Sequence, residues 1–177
     1  MKIYFIIFFF FSFFHAKAQD RSELRRLLQY ENYAYLDSAI FRVNEYNKRD
    51  KAKQPHGVWV TRNKGGKIMA IYTMSHGIPH GHCVNFADSG SIKNSLYFYF
   101  GVMHGPYIDY WENGRVKASL VYFEGKLNGI VKQYYSNGNL ERISEYSYGV
   151  RNGLDILYNL DGSQAACLRY KDGKVVD

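Results

Sequence analysis

The residues of this 177-residue chain with the most chemical reach are its histidines and its two cysteines. His56, His76, His80, His82 and His104, with Cys83 beside them, are the types that ligate zinc. His56, His80 and His104 recur every 24 residues, each just before a glycine. If that period is a stacked hairpin, equivalent histidines lie two strands apart, roughly 9.6 Å, too far to share one ion. His76, His80 and His82 approach one another around a single turn. A histidine that recurs beside a repeating glycine is nevertheless explained as a residue of the repeat, so no metal and no other cofactor is assigned. Cys83 and Cys167 have no base at a defined spacing to activate either thiol. Seven strand spacings, on the order of 34 Å, separate them, whereas bridged cysteines have Cα atoms within about 7 Å. Both are expected as free thiols. No catalytic constellation emerges, and the chain is expected not to be an enzyme.

The element that positions all of these residues is written in the glycines. Fifteen of the sixteen fall on a lattice of period 24. Gly57, Gly81, Gly105, Gly129 and Gly153 open five units; Gly66, Gly90, Gly114, Gly138 and Gly162 lie nine residues in; Gly77, Gly101, Gly125, Gly149 and Gly173 lie twenty residues in. Such a period marks one supersecondary unit stacked in tandem, here 57–80, 81–104, 105–128, 129–152 and 153–177. Each unit is two strand-like runs divided by Gly65-Gly66, Ser89-Gly90, Asn113-Gly114, Asn137-Gly138 or Asp161-Gly162. Asn-Gly and Asp-Gly between strands predict a two-residue type I′ hairpin turn. The expected fold is all-β: an elongated single antiparallel sheet of hairpins, a solenoid, preceded by a short helical or strand cap.

A two-residue turn pairs residues whose offsets from the opening glycine sum to seventeen. One face then gathers Trp59, Cys83, Tyr107 and Val131 with Trp111, Tyr135, Ile68, Ile92, Val116, Leu140, Tyr72, Leu96, Leu120 and Leu168, and the aromatic column of Phe98, Tyr122, Tyr146 and Tyr170. This face is expected to be packed. The other carries Phe86, Tyr110, Tyr134 and Tyr158 among Lys117, Glu141, Glu112, Arg115 and Ser95, and is expected to be a wet tyrosine ladder. Asp155, Gln164 and Arg169 stand in the last unit at places that are apolar or neutral elsewhere, as in a capping repeat.

Residues 1–18 carry Lys2, an apolar run from Ile3 to Phe14 and Ala16-Lys17-Ala18, the three-part plan of a signal peptide cleaved after Ala18. The run is shorter than the roughly 20 residues of a membrane span. A secreted or periplasmic product is expected. Without Lys2 and Lys17, 21 basic and 16 acidic residues remain, a formal charge of +5 that does not point to nucleic acid. Residues 19–56 read as a cap segment: a short helix from Ser22, strand composition over Ile40–Tyr46, and a degenerate half-repeat ending at His56-Gly57.

The pattern of Gly, an aromatic two places on, Tyr-x-x-Asn-Gly, then Tyr or Phe and x-x-Gly-Lys-x-x-Gly resembles the MORN repeat in its bacterial variant form, in proteins often labelled antitoxins. It is intact at Tyr110-Trp111-Glu112-Asn113-Gly114 and Tyr134-Tyr135-Ser136-Asn137-Gly138 and weaker in the first unit, where Arg62 and Asn63 replace the aromatic pair. The resemblance implies an interaction scaffold without catalytic residues. The expected function is an exported scaffold for a protein partner. The alternative is an envelope module for anionic lipid or glycan, using Tyr110, Tyr134, Tyr158 and Phe86 with Lys117, Lys132 and Arg115; an antitoxin-like neutralising partner is a further alternative.

Overall fold

The computed structural model describes residues 47–176; the signal peptide, the helix at Ser22 and the strand at Ile40–Tyr46 lie outside the described residues. The described residues form an all-β sheet of twelve strands without helices. In chain order these are β1 (Gly57–Arg62), β2 (Ile68–Ser75), β3 (Ile78–Phe86), β4 (Ile92–Tyr99), β5 (Val102–Tyr110), β6 (Val116–Phe123), β7 (Lys126–Leu127), β8 (Gly129–Tyr134), β9 (Leu140–Ser147), β10 (Val150–Tyr158), β11 (Gln164–Lys171) and β12 (Lys174–Val175). Every strand pairs antiparallel with its neighbour in sequence, and β7 and β8 are one broken strand along β6. The single sheet of hairpins expected from the lattice is what forms.

The seventeen-sum register holds through the body of each hairpin. Gly57 faces Met74, Trp59 faces Tyr72, Cys83 faces Leu96, Tyr107 faces Leu120 and Gly153 faces Tyr170. The turns are exchanged relative to expectation. At the middle turn of the third unit the Gly114 N–H donates to Trp111 O at 2.8 Å and the Trp111 N–H to Arg115 O at 2.8 Å. Gly114 has φ +81° while Asn113 is not in the left-handed region. This is a three-residue loop, a type I turn closed by a glycine, and not the type I′ turn predicted. Asn113 instead uses its Oδ1 to accept the Arg115 N–H at 3.0 Å, a local bond that favours Asn in turns. The two-residue type I′ turns lie between units, where His76-Gly77, Phe100-Gly101, Glu124-Gly125, Tyr148-Gly149 and Asp172-Gly173 all have positive φ at both residues.

The longer middle loop shifts the register by one, and a bulge restores it. Tyr110 faces Val116 and Asp109 faces Ala118, leaving Lys117 as the extra residue. The same shift recurs in every unit. Opposed residues share a face, so Ile92, Val116 and Leu140 join Phe86, Tyr110 and Tyr134, and not the face expected for them. Lys117 passes the other way, to Asp109 and Trp111.

Both faces are closed at their centres. Cys83, Ser144 and Asp155 are buried on the first, while Ile71 at 3% and Val84 at 1% exposure are buried on the face expected to be wet. Val84 faces Ile71 on one side and Ser95 on the other. Tyr110, Tyr134 and Tyr158 are half-buried. For Tyr110 and Tyr134 the reason is the aliphatic column that the bulge delivers beside their rings, whereas Tyr158 faces Gln164.

Asp155, expected to be a polar cap, is 1% exposed. Arg142 grips it through Nε at 2.6 Å and Nη2 at 2.5 Å, Ser144 donates its hydroxyl at 2.8 Å, and Arg151 stands 3.3 Å away. A buried carboxylate survives when paired and hydrogen-bonded. The Arg142 bond holds its carboxyl below the usual carboxylate range, against the opposing effect of burial. At the other end the Asn47 side chain works as a strand fragment against β1, accepting the Val60 N–H at 2.7 Å and donating to Val60 O at 3.1 Å. Residues 47–56 continue the lattice, since Pro55 O accepts the Gly77 N–H at 2.8 Å as Pro79 O accepts that of Gly101 at 2.7 Å.

Candidate functional site

The sheet has two long margins, one made of middle turns and one of turns between units. At the second margin the turns stack by hydrogen bonds: the glycine of each donates to the chain leaving the turn before, through Met103 O for Gly125, Leu127 O for Gly149 and Arg151 O for Gly173. Two of the histidines that open the metal question, His56 and His80, serve this stack. His80 Nδ1 accepts the Phe100 N–H at 3.3 Å and His56 Nδ1 the His76 N–H at 3.4 Å, while Asn128 Oδ1 accepts the Tyr148 N–H at 3.2 Å. Imidazole Nδ1 and amide Oδ1 lie at the same reach from the backbone, so Asn128 takes the role of His56 and His80 at one lattice place. His76 also pairs with Asp50 at 2.5 Å, and that contact lowers the carboxyl pKa of Asp50.

Along these turns runs a column of rings. His80 meets Phe100 at 4.5 Å between centroids, Phe100 meets Tyr99 at 4.9 Å, Tyr99 meets His104 at 6.0 Å, His104 meets Phe123 at 4.9 Å and Phe123 meets Tyr148 at 5.9 Å. Tyr99 is 51%, Phe100 55% and Tyr148 57% exposed, with exposed Ile78, Val102 and Val150 beside them. Their exposure follows from the turn type: a type I′ turn puts Phe100 and Tyr148 at left-handed φ of 44° and 48°, at the tip of the hairpin. The sequence signal was present, because a turn tip is ordinarily polar and here large rings precede Gly101 and Gly149.

The margin of middle turns holds the residues that the sequence singles out. Gly66, Gly90, Gly114, Gly138 and Gly162 all have positive φ and close these turns. The two aromatics next to them bridge units: Trp111 Nε1 donates to Tyr134 O at 3.0 Å and the Tyr135 hydroxyl to Tyr158 O at 2.8 Å. Phe86, Tyr110, Tyr134 and Tyr158 lie opposite Ile92, Val116, Leu140 and Gln164. The three cations do not converge. Arg115 is turned to the carbonyls of Ser136 and Asn137, Lys117 pairs with Asp109 at 3.6 Å and lies 4.9 Å over the Trp111 ring, and exposed Lys132 stands opposite Ile143 on β9.

Burial raises the Cys83 thiol pKa to about 11, against a smaller opposing contact with Asn85, so this cysteine is held as the unreactive thiol at neutral pH. Cys167 is exposed, and both are free. Among the described residues no three His, Cys, Asp or Glu side chains are grouped to hold a metal ion.

No curated protein matches the chain. The model of the MORN repeat variant family matches residues 127–148, which span β8, β9 and the turn at Asn137-Gly138. The other units repeat that hairpin, its three-residue middle turn and its bulge. Residues 127–148 carry the MORN repeat variant, and the hairpin geometry found there is shared along the sheet.

Proposed function

We propose that the protein is an exported, non-catalytic scaffold that binds a protein partner along the turns between its units. MORN repeats are protein- or lipid-binding modules. The observation that carries the protein reading is the exposed ring column of Tyr99, Phe100 and Tyr148. Exposed aromatics with aliphatic neighbours on a rigid support have the composition of an interface core. The apolar run followed by Ala16-Lys17-Ala18 supports export to the periplasm or beyond.

The lipid or glycan reading needs cations gathered beside rings. It is the weaker of the two, because Lys117 and Arg115 are engaged within the sheet and Lys132 stands apart. The test is the double variant Phe100→Ser, Tyr148→Ser, used as bait beside the wild type in an envelope extract, with both proteins also offered to anionic vesicles. A specific protein captured by the wild type should drop at least tenfold with the variant, since truncated aromatic anchors dominate interface energies. Equal capture by both would remove this margin, and vesicle binding by the wild type alone would transfer it to the lipid reading.

A further inference from the structure

Two units carry aromatic bridges at their middle turns, and the other three have Asn63, Ala87 and Asn159 at that place. Six residues after the opening glycine, the third unit has Trp111 and the fourth Tyr135, each bonded to a backbone carbonyl of the following unit. The second unit has Ala87 there. Over Ala87 lies an open groove of about 920 Å³. Its wall includes Phe86, Ile92 and Lys93 of the second unit and Tyr110, Trp111 and Lys117 of the third. On the lattice Lys93 and Tyr110 correspond to Lys117 and Tyr134, which the Trp111 ring contacts one unit further on. The cavity thus has the place and the setting of a ring that the chain does not supply.

The cation that would complete such a site is in position. Lys117, the bulge residue, lies 4.9 Å over Trp111. Lys93 is the bulge residue one unit earlier, it is exposed, and it lines the groove. At the carbonyl end, the place of Tyr134 O is taken by the Tyr110 backbone, and a carbonyl can accept twice. The elements are Trp111 in the wall, a cation for the ring face and a carbonyl for a donor on the ring rim.

We propose that the groove over Ala87 takes a phenol or indole side chain of a protein partner, seated as Trp111 and Tyr135 are seated in the following units. This specifies a second contact for the partner proposed above and rests on that reading. The ring face lies against Lys93 and its N–H or O–H points to the Tyr110 carbonyl.

The test uses N-acetyltyrosinamide as the probe and the Ala87 methyl and Trp111 indole resonances of the full chain as the readout. Saturable shifts in the millimolar range are expected at both. Ala87→Trp should fill the groove, abolish those shifts at Trp111 and raise the melting temperature. Lys93→Ala should weaken probe binding about two- to fivefold, the size of an exposed cation–π contact. Lys93→Ala lies on the surface, so the proposal stays testable if Ala87→Trp fails to fold. Absence of saturable shifts in the wild type, or binding unchanged in both variants, overturns the proposal. A partner lost with Phe100→Ser, Tyr148→Ser but kept by Ala87→Trp overturns the groove and leaves the scaffold reading standing.

Discussion

Asp155 shows most directly what a single residue decides. Its carboxylate is buried and shared among Arg142, Ser144 and Arg151, and Arg151 in turn lies against the rings of Tyr146 at 5.9 Å and Tyr170 at 5.3 Å. Asp155→Ala leaves Arg142 without its partner, which costs about 3–5 kcal/mol in fully buried pairs. Arg142 reaches water, so the loss should fall at the low end of that range. The pH dependence has a definite sign. The folded-state pKa is depressed, so the stabilisation is complete above the unfolded carboxylate value of about 3.9 and disappears as pH falls through the lower folded value. Urea melts at pH 7 and pH 3 check this: the wild type should lose stability on acidification, and Asp155→Ala should lose clearly less. Equal acid sensitivity of the two would show that other carboxylates carry the effect.

At the scale of the element, the two turn classes make opposite demands on the residue before the glycine. In the junction turns that residue is left-handed, a conformation that costs an ordinary L-residue roughly 1–2 kcal/mol and Asn less. Glu124 occupies such a site at φ 50° and is exposed. Glu124→Asn should therefore stabilise the chain by about 0.5–1 kcal/mol in a urea titration. In the middle turns only the glycine is left-handed, so Asn137→Ala should lose little more than the Asn137 Oδ1 contact to the Asn139 N–H, while Gly138→Val should cost well over 1 kcal/mol. A destabilising Glu124→Asn, or Asn137→Ala as harmful as Gly138→Val, would contradict this exchange of turn types. The asymmetry also explains how large rings come to stand at the tips of the junction turns. There φ is set by the paired strands on either side, and the side chain is left exposed to solvent.

Across the whole sheet, each strand pairs only with its neighbours, so stability is built unit by unit. Deleting residues 105–128 should leave a folded sheet with proportionate β signal in circular dichroism and a lower melting temperature, and loss of all β signal would refute neighbour-only packing. What the sequence determined by itself was the lattice, the hairpins and the register of their bodies, because left-handed glycines and strand pairing are local demands that repeat every 24 residues. What only the tertiary structure decided was which turn class lay where, which face received Ile92, Val116 and Lys117, and which rings met solvent. A one-residue bulge reverses every side chain beyond it, and nothing in a period of glycines says on which strand the extra residue will sit. For the same reason the sequence drew attention to the half-buried tyrosines at 110, 134 and 158, while Phe100, Tyr148 and the empty ring position at Ala87 became legible only once the turns were stacked against one another.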